Sequence, residues 1–86
     1  MNESNDAFEF PMLRKGIDFT VVVPREAIEG TTGRAMQLED RKRWLNDNMD
    51  LVSMTADRIR PLRTPRGARV IVESRHVIAQ GVPIGA

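Results

Sequence analysis

Apolar and polar residues alternate in two places near the start of the chain. In Phe8-Glu9-Phe10 two apolar side chains flank a charge, which predicts a short strand stopped by Pro11. In the stretch from Ile17 to Val23, Ile17, Phe19, Val21 and Val23 share one face, and Asp18, Thr20 and Val22 share the other. Met12 to Gly16 reads as the turn between them, with a basic tip, Arg14-Lys15, so the two segments predict a hairpin. Pro24 ends the second strand and sets φ for a helical turn over Arg25 to Glu29, with Gly30 as its stop. Residues 31–37 read as a loop.

The period then changes from two to between three and four. Leu38, Leu45, Met49, Val52, Ala56 and Ile59 recur on one helical face, so a single long helix is expected from Leu38 to Ile59. Trp44, Asn48, Leu51 and Thr55 flank that face. Asp40, Arg43, Asp47, Asp50, Asp57 and Arg58 lie opposite it. Acids at the start of this helix and arginines at its end suit the helix dipole, and Pro61 closes it. A last strand is expected over Arg69 to Glu73, with Val70 and Val72 on one face and Ile71 on the other. The pattern predicts an α+β fold in the order β-β-α-α-β, a small antiparallel sheet against one long helix. Residues 1–7 are expected to be frayed, 8–77 to form the domain and 78–86 to be a tail.

The chain has 86 residues and 41% hydrophobic content, which suits one small domain with a thin core. It has no cysteine, an acidic and polar start, and no apolar run approaching the roughly 20 residues of a membrane span. These features predict a reducing, cytoplasmic setting with no membrane partner. The net charge of +1 conceals a polarity: residues 1–30 carry six acids and three bases, whereas residues 58–76 carry six arginines and one glutamate.

That second region holds RIRPLRTPRGAR, from Arg58 to Arg69, in which two prolines and a glycine rule out continuous helix. Arginine makes bidentate contacts to carboxylate and phosphate. Arg58, Arg60, Arg63, Arg66, Arg69 and Arg75 are therefore the expected partner-binding residues, with Arg41, Lys42, Arg43 and Trp44 as a secondary contact. Against this stands a plainer reading, in which the arginines only pair with the acidic N-terminal half. Trp44 likewise reads either as half-buried core or as an interface anchor.

Catalytic chemistry finds little footing. His76 is the only histidine, there is no thiol, and the acids on the long helix alternate with bases as on a solvated face. Gly30-Thr31-Thr32-Gly33-Arg34 lacks the length and lysine of a phosphate loop. No metal site, cofactor or small-molecule substrate is expected. The expectation is a non-enzymatic adaptor, regulator or inhibitor docking on a larger protein with an acidic surface, or on a second copy of itself. Non-specific nucleic-acid binding through the same arginines is the alternative. The absence of tyrosine and of spare aromatic rings speaks against stacking on single strands.

The order of FPMLRKGIDFTVVVPREAIEG, RKRWLNDNMDLVSMTADRIR and GARVIVESRHV resembles the small bacterial family DUF1488 over residues 8–77. Arg25-Glu26-Ala27-Ile28-Glu29 is similar to its helical turn, and Trp44 to Val52 with Ala56 to its helix motif. The resemblance implies a two-layer α+β domain and brings no catalytic residues with it. The arginine loop and the C-terminal tail depart from the family pattern.

Overall fold

The computed structural model describes residues 2–3 and 7–80 of the chain. Its elements are β1 (Asn2–Glu3), β2 (Ala7–Arg14), β3 (Ile17–Pro24), α1 (Arg25–Thr32), α2 (Leu38–Asp47), α3 (Met49–Ile59), β4 (Ala68–Ile71) and α4 (Ser74–Ile78). The strands lie in the order β1-β2-β3-β4. The α+β class and the order of the main elements are as expected. Of the terminal segments, Asn2 and Glu3 pair with Glu9 and Phe8, and Ile78 belongs to α4. Residues 1, 4–6 and 81–86 lie outside the described residues.

The hairpin β2–β3 is built by a two-residue turn in which Lys15 and Gly16 both take positive φ, 52° and 77°. Such a turn matches the twist of the flanking strands. Pro11 does not stop the first strand. Counting pairs from Arg14↔Ile17, the partnership Pro11↔Thr20 is a non-hydrogen-bonded one, so the missing N–H faces away from β3. On that outer side β1 pairs only as far as Glu9, and the proline costs no ladder bond.

The antiparallel expectation fails at the last strand. β4 runs parallel to β3, with Val70 opposite Val21 and Ile71 opposite Val22. The three helices α1–α3 carry the chain back along the sheet, and this return makes the parallel pairing sterically simple. The sheet is therefore mixed.

Nor is the helical segment one long rod. It breaks at Asn48 (φ −117°, ψ 20°), whose Nδ2 donates to the Trp44 carbonyl at 2.8 Å. A side-chain amide competing for a helix carbonyl is a known way to interrupt the ladder. Conversely, α1 runs through Gly30 and stops at Gly33, which takes the left-handed conformation (φ 77°) and donates to the Glu29 carbonyl.

Phe8, Phe10 and Met12 of β2, Phe19, Val21 and Val23 of β3, and Val70 and Val72 face the helices. They close a single core with Ile28, Leu45, Val52, Ala56 and Val77. On the other sheet face Leu13 and Ile71 are exposed. Across that face Arg69 on β4 reaches over β3 to Glu9 on β2 at 2.8 Å.

Candidate partner-binding site

The loop from Arg60 to Gly67 starts where Pro61 ends α3, as the sequence requires. Thr64 is buried and its hydroxyl donates to the Pro61 carbonyl, which folds the loop tightly. Gly67 takes φ 73°, and its N–H donates to the Asp18 carbonyl at 3.0 Å. The loop is thereby anchored to the first residues of β3, immediately after the hairpin tip.

The six expected arginines do not act as one set. Arg60 is largely buried: its side chain is 10% exposed, and Nε donates to Asp57 Oδ1 at 2.8 Å. Its guanidinium also reaches Thr64 Oγ1 and lies 5.6 Å from the centroid of the Phe19 ring. The expectation that Arg60 serves a partner is corrected: it closes the end of the core. Arg69 is spent on Glu9, and Arg75 on Glu73 at 3.0 Å. The Arg69–Glu9 pair is of the kind the plainer reading describes, whereas Glu73 lies outside the acidic N-terminal half. Arg58 donates to Gln80, a neutral group, and keeps its charge unmatched. Arg63 and Arg66 are exposed and make no hydrogen bond or ion pair among the described residues.

The secondary contact is similarly divided. Arg41 is 4% exposed; its Nη1 donates to the Met36 carbonyl at 2.7 Å and lies 3.9 Å from Glu29 Oε2. It is buried and holds the 33–37 loop, whereas the expectation placed it at a partner contact. Glu29 also accepts from Met36 N–H and Arg25 Nε, each at 2.9 Å. Those two bonds, the backbone one foremost, hold its carboxyl below the usual carboxylate range. Lys42 is partly buried and Arg43 exposed. Trp44 is half-buried against the core, so the core reading of that residue fits its position. Its outer edge borders a shallow cleft of about 390 Å³ lined also by Arg34, Met36, Asp40 and Asp47.

Two groups absent from the expected site belong beside it. The hairpin tip brings Arg14 and Lys15 to the end of α3. There the Arg60 hydrogen bond, and less strongly the Arg14 and Lys15 charges, hold the Asp57 carboxyl below its ordinary value. A groove of about 240 Å³ runs between tip and loop, lined by Lys15, Ile17, Asp57, Arg58, Arg60, Pro61 and Leu62. Leu62 is 98% exposed at the crest of the loop. The basic turn was visible in the sequence, but its meeting with the arginine loop depends on how far the hairpin reaches along α3. An isolated leucine between arginines carries no sequence signal of exposure.

Among the described residues no group of three His, Cys, Asp or Glu side chains is placed to hold a metal ion, and no helix is long and apolar enough to cross a membrane. No family model matches the chain, and no curated protein or solved structure is similar to it. The likeness to DUF1488 thus rests on the sequence pattern alone.

Proposed function

We propose that this protein acts by binding, and that its basic end docks on an acidic surface of a larger protein. The observation that carries this reading is the convergence of two elements. Arg14 and Lys15 of the hairpin lie near Asp57 at the end of α3, Lys15 and Arg58 line one groove with the exposed Leu62, and the exposed Arg63 and Arg66 follow in the same loop. The one acid lining the groove, Asp57, is already matched to Arg60. An exposed apolar side chain in a basic neighbourhood suits a protein interface, where apolar burial supplies affinity and charge supplies orientation and rate. A duplex backbone would use the same cations and would have no use for Leu62.

The test is affinity capture from the native host with the wild-type chain and the Arg63→Ala/Arg66→Ala variant. One dominant protein, retained by an Arg75→Ala control and lost by the double variant, is expected. Retention on any duplex at low salt, with a salt slope that the double variant flattens, would instead assign the surface to nucleic acid.

A further inference from the structure

The groove between the hairpin tip and the loop has its own chemistry, distinct from that of the loop crest. Its lining combines the apolar side chains of Ile17, Pro61 and the projecting Leu62 with the cationic side chains of Lys15 and Arg58. Asp57 and Arg60 satisfy each other within it through a 2.8 Å bond. Lys15 sits in the two-residue turn, with φ 52°, and belongs to the lining. Arg58 is steadied by its bond to Gln80, which leaves its remaining N–H groups available. A ligand complementary to this surface presents carboxylates beside an apolar side chain.

We infer that this groove is the centre of the docking surface and that it takes an extended acidic segment of the partner, with carboxylates on Lys15 and Arg58 and an apolar side chain against Ile17, Pro61 and Leu62. This rests on the protein-binding reading above and adds the place and the chemistry of the segment recognised. Arg63 and Arg66, further along the same loop, then add charge-assisted contacts beside the groove.

The experiment is a titration of the ¹⁵N-labelled chain with two blocked hexapeptides, one alternating glutamate and leucine, the other all glutamate. The alternating peptide is expected to move the amide signals of Lys15, Ile17, Arg58 and Leu62 saturably. The all-glutamate peptide should bind several-fold more weakly, because it brings no apolar side chain to Ile17, Pro61 and Leu62. Lys15→Glu with Arg58→Glu should weaken the alternating peptide by roughly tenfold or more, a loss of about 1.4 kcal/mol per tenfold. The dispersed spectrum of that variant reports its fold directly. Equal binding of both peptides, unmoved groove signals, or unchanged affinity in the charge-reversed variant would overturn the assignment of the groove. If shifts were confined to Arg63 and Arg66, the groove would fall while the wider docking reading stood. Loss of the captured protein in Arg63→Ala/Arg66→Ala is scored separately.

Discussion

Gly30 of α1 lies so close to Ser74 of α4 that a β-carbon on the glycine would sit 2.7 Å from the serine Cβ and 2.8 Å from Glu26 Oε1. The same contact brings the Ser74 hydroxyl and backbone N–H to the Glu26 carboxylate. The glycine is what allows the last helix to lie down on the first.

Gly30→Ala is therefore predicted to destabilise the protein. In a free-standing helix the change would stabilise by about 1 kcal/mol. Here the rigid Ser74 Cβ has to move, so a net loss of about 1–3 kcal/mol is expected from overpacking. Urea denaturation measures it, and a gain in stability would mean that α1 and α4 are further apart than described.

Arg60 and Arg63 stand three residues apart and should behave oppositely. Arg60→Ala strips a pair from Asp57, a bond to Thr64 and a cation from the Phe19 ring, and is expected to cost about 1–2 kcal/mol. Arg63→Ala should change stability by less than about 0.5 kcal/mol, as exposed unpaired positions do. Thermal unfolding of the two variants side by side checks the contrast.

Arg41→Ala removes a buried donor and leaves the Met36 carbonyl without it. The expected cost is about 1–3 kcal/mol. Amide exchange should also quicken at Met36 in the loop between α1 and α2, because the Glu29 carboxylate that accepts from that N–H loses a cation beside it. Intact stability in this variant would contradict the buried position of the guanidinium.

Stability should also fall in acid for identifiable reasons. The Glu29 and Asp57 carboxyls ionise more readily in the folded chain than their ordinary values of 4.5 and 3.8. The unfolded chain thus takes up protons first as pH drops. The contribution of each group is complete above its ordinary value and is lost as pH falls through the lowered folded one. Denaturation midpoints should be level near neutrality and decline below about pH 4.5. Glu29→Gln with Asp57→Asn should lower the neutral plateau and flatten the acid limb; an unchanged limb would show that other groups set it.

The sequence carried the fold where the controlling interaction is local. Alternation in Ile17–Val23 and the helical period from Leu38 to Ile59 give the right element types, although Val22, assigned to the outer face, is also buried. The direction of β4 is another matter. Val70-Ile71-Val72 reads the same in either sense, and only the path of the helices decides it. Gly30 has the residue type of a stop, but the packing of α4 makes it an interior position. Asn48 lies on the flanking stripe of the expected long helix, yet its backbone leaves the helical conformation there, with both its N–H and its side-chain amide donating to the Trp44 carbonyl. For the site, composition alone picked out six arginines as equals. Their separation into Arg60, spent on the core, Arg69 and Arg75, paired with acids, Arg58, bonded to the neutral Gln80, and the exposed Arg63 and Arg66 follows from where each guanidinium lands after folding.

The parallel seating of β4 beside β3 has a consequence for how the molecule comes into being. The hairpin closes through a two-residue turn and can assemble early, whereas β4 has to wait until the whole run from Arg25 to Gly67 has been laid across the sheet. Contacts so distant along the chain are slow to form. The arginine loop is fastened to β3 only in that final closure, so a nascent or truncated chain ending before Gly67 would hold α1–α3 and yet leave the loop without its anchor on Asp18.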